Sequence, residues 1–183
     1  MQVVGQVLSI IAMVIAILSF QCKVQKTHIA MQIVSTLLFA VSFLLLGAVT
    51  GALLNVIANV RALIYYNKQK LHADKPLWLA GFVLAYAAVY VLTFTLPIFE
   101  TEPTAFNLIV GLLPVIGMTA SNLGIYCKDT KSVRRFGLVS SPAWLIYNII
   151  YFSIGAILCE AFSIVSIIIG MIRLDINKNK SEG

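Results

Sequence analysis

Charged residues are scarce in this sequence of 183 residues: Asp, Glu, Lys and Arg together make up 11%, whereas apolar residues make up 60%. Soluble domains carry roughly 25% charged and 45–50% apolar residues, so the composition excludes a soluble globular chain. The net charge is +6, but no basic stripe interleaved with aromatic residues is present, and we expect no nucleic-acid partner. The sequence indicates a polytopic membrane protein whose constant partner is the lipid bilayer.

Cysteine and histidine are rare as well. The three cysteines, Cys22, Cys127 and Cys159, are an odd number without a close pair, so no disulfide framework is expected. The histidines, His28 and His72, lie in short basic loops, and no Cys or His cluster has metal-ligand spacing. Also absent are a Ser-His-Asp set, HExxH, paired intramembrane acids, a Walker loop and a Gly-rich dinucleotide loop. We therefore expect no enzyme, no metal and no cofactor.

Seven apolar segments meet the length requirement of a bilayer, which is about 20 residues per helix with a range of roughly 17–25. The first lacks a basic region before its apolar run, which predicts a retained helix and not a cleaved signal peptide. The predicted spans are Val3–Phe20, Ile29–Leu46, Ala52–Tyr66, Pro76–Leu96, Ala105–Cys127, Phe136–Ile154 and Ile157–Arg173.

The placement of positive charge supports this division. Every Lys and Arg falls on one side of the predicted spans, and the opposite loops hold none, while one of them holds Glu100 and Glu102. The positive-inside rule then places the N-terminus outside and the C-terminus in the cytoplasm. We expect Arg61, about one and a half turns from the end of the third span, to snorkel to the cytoplasmic interface.

An internal repeat relates the two halves of the chain. The segment LSFQCKVQKT aligns with LGIYCKDTKS, so that Cys22 lies over Cys127 and Lys26 over Lys131, in both cases 105 positions apart. The glycine-rich turns align at an offset nearer 108, which leaves the register of the third span against the seventh open. Because one helix separates the two three-helix units, both have the same orientation in the membrane.

This plan divides the chain into four parts. We predict a first three-helix repeat, a linker loop with the fourth helix, a second three-helix repeat and a polar cytoplasmic tail. Their ranges are residues 1–67, 68–97, 98–176 and 177–183.

The third span carries polar residues that are costly in hydrocarbon. Asn55 and Asn59 are one helical turn apart and therefore share a face, which predicts that they point into the bundle interior. Interhelical hydrogen bonding and contact with a ligand both remain open for them.

The second half offers further candidates for a site near the bilayer midplane between the repeats. Trp144, Asn148 and Tyr151 share one face of the sixth span, and Ser163 and Ser166 lie on the seventh. Packing remains an open alternative for Trp144 and the two serines.

Three further features bear on mechanism. Glu160 is a possible coupling residue if it lies deep in the membrane, or a solvated carboxylate if it lies at the interface. Pro114 predicts a bend in the fifth span. The fourth span carries an aromatic stripe that we expect to face lipid or the interface, consisting of Trp78, Phe82, Tyr86 and Tyr90.

The arrangement of three, one and three helices resembles the SWEET and PQ-loop superfamily, which includes the nicotinamide-riboside carriers of the PnuC type. Ser19-Phe20-Gln21, with a trailing Lys26-Thr27, is similar to the PQ motif. The resemblance implies a substrate-contacting asparagine on the third helix, which Asn55 or Asn59 supplies, with Ser163 or Ser166 opposite on the seventh.

The sequence departs from that pattern in two respects. Phe20 occupies the proline position of the first motif, and Tyr126-Cys127 stands where the second Pro-Gln is expected. Of the hinge prolines implied by SWEET-like transporters, only Pro114 and Pro142 have counterparts, so the resemblance implies no proline hinge in the first bundle.

The whole sequence also resembles the bacterial inner-membrane YgjV family. The segments LSFQCK, FLLLGAVTGALLN, SPAWLIYN and GAILCEAFSI carry this resemblance. It implies an integral protein of the bacterial inner membrane.

The leading functional hypothesis is a facilitator that moves a small polar metabolite by alternating access. The alternative is a non-transporting membrane module that binds a protein partner or lipid, in which the same polar residues hold helices together. The sequence leaves open the solute, ion coupling and oligomeric state.

Overall fold

The computed structural model describes residues 1–19, 25–73, 75–99, 101–127 and 129–176. Within these ranges all regular secondary structure is helical, which confirms the all-α fold class. The helices are α1 (Gln2–Ser19), α2 (Gln25–Leu45), α3 (Val49–Tyr66), α4 (Lys68–Leu71), α5 (Pro76–Thr95), α6 (Ala105–Tyr126), α7 (Thr130–Ile150) and α8 (Ile154–Gly170), with a 3₁₀ turn at Pro97–Phe99 and a π-helical segment at Met171–Ile176. The predicted tail, residues 177–183, and the PQ-like residues 20–24 lie outside the described residues.

Five of these helices are long and apolar enough to cross a membrane, which confirms a multi-pass membrane protein. They are Gln2–Ser19, Val49–Tyr66, Pro76–Thr95, Ala105–Tyr126 and Ile154–Arg173, and a shorter apolar helix covers Ile29–Leu45.

The first turns of α2 and α7 are polar. They read QKTH and TKSVRR, and they lengthen each helix beyond its apolar stretch. The side chain of Asp129 begins α7 by accepting a hydrogen bond from the backbone N–H of Ser132 at 2.7 Å. Hydrogen bonds from the Ser132 side chain and backbone hold the pKa of Asp129 below its ordinary value.

The turns after α2 and α7 have the same backbone design. Gly47 and Phe152, 105 positions apart, both have positive φ, at +80° and +53°. In the first turn the N–H of Ala48 donates to the carbonyl of Phe43 at 2.8 Å, and in the second the N–H of Ser153 donates to the carbonyl of Asn148 at 2.9 Å.

This geometry corrects the register read from the glycine-rich turns. The left-handed position is glycine in one turn and phenylalanine in the other, so aligning glycines at an offset of 108 misplaces the second turn. The starts of α2 and α7, and those of α3 and α8, are each 105 positions apart.

The contacts between helices show how the two halves are arranged. In each half the helices pack in chain order, α1 on α2 on α3 and α6 on α7 on α8. The halves meet where α1 packs on α8 and where α3 packs on α6, and α5 covers the second of these contacts.

Candidate functional site

A cavity of about 290 Å³ lies between the two halves of the chain. Its wall comes from α2 and α3 on one side and from α6, α7 and α8 on the other. Most of the lining consists of residues that lie 105 positions apart in pairs: Thr36 and Ser141, Phe39 and Trp144, Phe43 and Asn148, Asn55 and Glu160, and Ala58 and Ser163.

Asn148 presents an unsatisfied acceptor on this wall. The residue is only 1% exposed, and its side-chain Oδ1 has no hydrogen-bond partner. Leaving a buried polar atom unpaired costs about 1–3 kcal/mol, and most such atoms in proteins are paired. A bound group with an N–H or O–H can satisfy this oxygen.

Arg61 brings a positive charge to the same cavity. The residue is 8% exposed, so the expectation that it snorkels to the interface is wrong. Its guanidinium donates to the hydroxyl of Tyr86, the carbonyl of Met118 and the hydroxyl of Ser121, each at 3.3 Å. None of these partners is anionic, and a buried cation without a counter-charge is costly.

A second cavity of about 380 Å³ continues beyond Arg61 between α2 and α3. The two cavities share Thr36, Ala58 and Arg61, and the second is also lined by Gln32 and Asn59. The Arg61 side chain therefore stands on the wall that both cavities have in common.

Glu160 carries a carboxylate into the first cavity from α8. Its side chain is half-buried, and the hydroxyl of Ser141 interacts with it. With the offset of 105, Glu160 on α8 corresponds to Asn55 on α3, and Ser163 corresponds to Ala58.

The asparagines of α3 bond within their own helix. The amide nitrogen of Asn55 donates to the carbonyl of Gly51 at 2.8 Å, and that of Asn59 donates to the carbonyl of Asn55 at 3.3 Å. Asn55 lines the first cavity and Asn59 the second.

Aromatic rings form the apolar part of the cavity wall. The rings of Phe43 and Trp144 are stacked, with centroids 6.2 Å apart and planes 12° apart. Trp144 also lies against Gly117, where an added Cβ would be 2.6 Å from its Cδ1. The indole is thus held in place by a position that only glycine fits.

The two halves are tied together at the end where α3 and α8 begin. The hydroxyl of Tyr147 accepts a hydrogen bond from the N–H of Gly51 at 2.9 Å. On the other side of the bundle, the N–H of Gly155 donates to the hydroxyl of Ser9 at 3.2 Å.

Gln6 strengthens the second of these ties. Its amide donates to the carbonyl of Phe152 and accepts from the N–H of Ile154 at 3.0 Å. The backbone N–H groups in the first turn of a helix have no partner within that helix. Gly51, Ile154 and Gly155 are first-turn residues, and each donates its N–H to a side chain from the other half of the chain. Each half therefore caps a helix of the other.

A model of the Imp-YgjV family, described as a bacterial inner membrane protein, matches residues 3–178. The chain belongs to this family. A comparison with curated proteins and with solved structures finds no match. The family match confirms the resemblance to the YgjV family and agrees with a location in the bacterial inner membrane.

In this Imp-YgjV protein, the cavity brings together five of the candidates singled out from the sequence. They are Asn55, Trp144, Asn148, Glu160 and Ser163. Neither described cavity includes Tyr151, which packs on Tyr147 with ring centroids 4.7 Å apart, or Ser166, which is exposed on α8. Pro114 is buried in α6 and Pro142 is half-buried in α7.

The aromatic stripe of α5 faces inward, contrary to expectation. Phe82 and Tyr86 are buried, and the hydroxyl of Tyr86 bonds to Arg61. Tyr90 donates to the carbonyl of Leu108 at 3.1 Å, which ties α5 to α6. The stripe faces inward because α5 covers the contact between α3 and α6.

Sequence reasoning missed Arg61, Phe39 and Phe43 as members of the site. The repeat itself contained the signal for the two phenylalanines, since an offset of 105 aligns Phe39 with Trp144 and Phe43 with Asn148. The signal for Arg61 was its guanidinium in an apolar span, where charge is costly, but the predicted snorkelling took it out of the site; its partner position is Ser166. Among the described residues, no group of three His, Cys, Asp or Glu could hold a metal ion.

Proposed function

We propose that this protein carries a small polar solute across the bacterial inner membrane and binds it in the cavity between the two halves. The observation that carries the proposal is the Oδ1 of Asn148, a buried acceptor without a partner on the cavity wall. Ser153 Oγ is also buried and unpaired, but Asn148 is the residue of the two that lines a described cavity, where a solute can supply the missing donor.

The proposed architecture is a pair of parallel three-helix repeats related by an approximate two-fold axis along the membrane normal. Matched helix starts and matched turns 105 positions apart support it. The contacts α1 on α8 and α3 on α6 support it as well, because a two-fold axis exchanges one for the other. Together with α5 as the linker, this gives the seven spans of SWEET-like and PQ-loop proteins.

The proposed orientation places the N-terminus outside and the C-terminus in the cytoplasm. The ties at Tyr147 and Ser9 then close the outer end, and the second cavity lies toward the cytoplasm. Cys127 is an exposed thiol at the end of α6, and the orientation puts it inside. An impermeant maleimide should label it in inverted vesicles and not in intact cells; labelling in intact cells would overturn the orientation.

Alternating access then requires the outer ties to open while the path past Arg61 closes. Pro114 in α6 and Pro142 in α7 are the proposed bending points, because proline removes a backbone hydrogen bond from the helix. Glu160 lines the cavity and is positioned to bind the solute or a coupled cation during transport.

The test is a thermal-stability screen of the purified full-length protein against sugars, nucleosides, vitamin precursors and amino acids. A ligand present at 100 times its Kd stabilises the native state by about 2.7 kcal/mol. We expect a stabilising solute whose effect is lost in Asn148→Ala and kept in Asn67→Ala. Asn67 is a matched control because its amide bonds to Leu63 at the end of α3, outside the two described cavities.

A screen without any stabilising solute would count against a transporter. The polar residues would then hold helices together in a module that binds a protein partner or lipid.

A further inference from the structure

The cavity holds one basic and one acidic side chain that are not paired with each other. Arg61 on α3 and Glu160 on α8 both line it. Among the described residues, the guanidinium bonds to Tyr86, Met118 and Ser121, and the carboxyl group interacts with Ser141. The two groups therefore come from opposite halves of the chain, and the partners described for each are neutral.

These charges discriminate between solute classes. In the low dielectric of a membrane protein, a charge without a counter-charge carries a large desolvation penalty. A sugar, a nucleoside or a cation would leave Arg61 without a counter-charge, and an anion would pair Arg61 but give the Glu160 carboxyl group no new partner. A solute with both signs of charge pairs Arg61 and favours the ionised form of Glu160, so both walls are paired and the occupied cavity stays neutral.

The other residues that line the cavity restrict the cationic group of the solute further. The free Oδ1 of Asn148 requires a donor, which a primary ammonium has and a quaternary ammonium lacks. The rings of Phe43 and Trp144 add an aromatic surface of the kind that attracts ammonium groups.

The volume limits the size of the solute. At roughly 30 Å³ per water molecule, a cavity of about 290 Å³ takes about ten waters. A compact amino acid fits this space.

We infer that the solute is an amino-acid-like zwitterion with a primary ammonium, its carboxylate facing Arg61 and its ammonium facing Glu160 and Asn148. This inference rests on the proposed function, because it names the solute class of the same cavity.

The experiment compares amino acids with derivatives that each lack one charge, using thermal stabilisation of the wild-type protein to obtain Kd. For the amino acid that binds best, the N-acetyl derivative lacks the ammonium and the amide derivative lacks the carboxylate. We expect each derivative to bind at least tenfold more weakly, since each leaves one buried charge unpaired. The N-trimethyl derivative, which keeps both charges but has no N–H, should also bind more weakly.

Two variants locate the contacts. Glu160→Gln should lower the affinity for the amino acid at least tenfold and remove the preference over the N-acetyl derivative. Glu102→Gln removes an exposed carboxylate outside the described cavities and should change neither. Because the derivatives are measured on the wild-type protein, the inference stays testable even where a variant folds poorly.

The outcomes separate the inference from the proposed function. An uncharged or singly charged solute that binds as well as any amino acid and loses binding in Asn148→Ala would overturn the zwitterion and leave the transporter standing. A panel in which nothing binds would overturn both. An amino acid whose N-acetyl derivative binds equally well to the wild type would also overturn the inference.

Discussion

At the scale of the residue, Tyr147 and Asn148 show how neighbouring polar groups can serve different ends. Tyr147 is fully buried and its hydroxyl is satisfied by the N–H of Gly51, across the junction between the halves. Asn148 is equally buried and lines the cavity, yet its Oδ1 has no hydrogen-bond partner. The first residue holds the fold together, and the second is available to a ligand.

Tyr147→Phe tests the structural role. The change leaves the N–H of Gly51 buried without its partner, and we expect a loss of about 1–3 kcal/mol in the free energy of unfolding. Denaturant unfolding in detergent measures it, with Tyr66→Phe at an exposed position as the control. Equal stability of the two variants would show that the hydrogen bond between Tyr147 and Gly51 contributes nothing.

Sequence alone could identify the polar residues of the site but not what they contact. Trp144, Asn148 and Glu160 stood out because such residues are unusual in apolar segments. The burial of Arg61 could not be foreseen, because it depends on α5 and α6 offering a hydroxyl and a carbonyl to its guanidinium.

At the scale of the element, α1 and α8 approach each other closely at Gly155. A Cβ added at Gly155 would lie 2.1 Å from the backbone oxygen of Ser9. Backbone atoms cannot move aside as a side-chain end can, so the helices meet at this distance only because residue 155 is glycine.

Gly155→Ala should therefore destabilise the protein. Overpacking in a closely packed interior costs typically 1–3 kcal/mol and occasionally more. Gly81→Ala is the matched control, because nothing lies within 4 Å of its added Cβ and alanine favours the helix by about 0.5–1 kcal/mol. In thermal unfolding in detergent, the Tm of Gly81→Ala should equal or exceed that of the wild type, and the Tm of Gly155→Ala should lie well below it. A Gly155→Ala protein as stable as wild type would contradict the described crossing.

Hydropathy predicted that the helices exist, but it did not predict where each helix begins or the register between the two repeats. The predicted sixth span began at Phe136, whereas α7 begins at Thr130, because a basic turn can be helical outside the hydrocarbon. The register of the third span against the seventh stayed open, because the left-handed turn position is glycine at Gly47 but phenylalanine at Phe152.

At the scale of the whole molecule, the repeat explains why the cavity lies where it does. Residues 105 positions apart both line it, so the lining comes in pairs with different chemistry, such as Asn55 with Glu160. The chain breaks the symmetry with α5, which packs on α3 and α6. Arg61 is buried beneath α5 and α6, whereas Ser166 at the matching position is exposed.

The most direct measurement is uptake of the stabilising solute by proteoliposomes that contain the purified full-length protein. We expect wild-type protein to equilibrate labelled solute faster than protein-free liposomes, Asn148→Ala to reduce that rate at least tenfold, and Asn67→Ala to retain it. A solute that binds but is never taken up would contradict transport. Uptake that is unchanged in Asn148→Ala would contradict the cavity as its path.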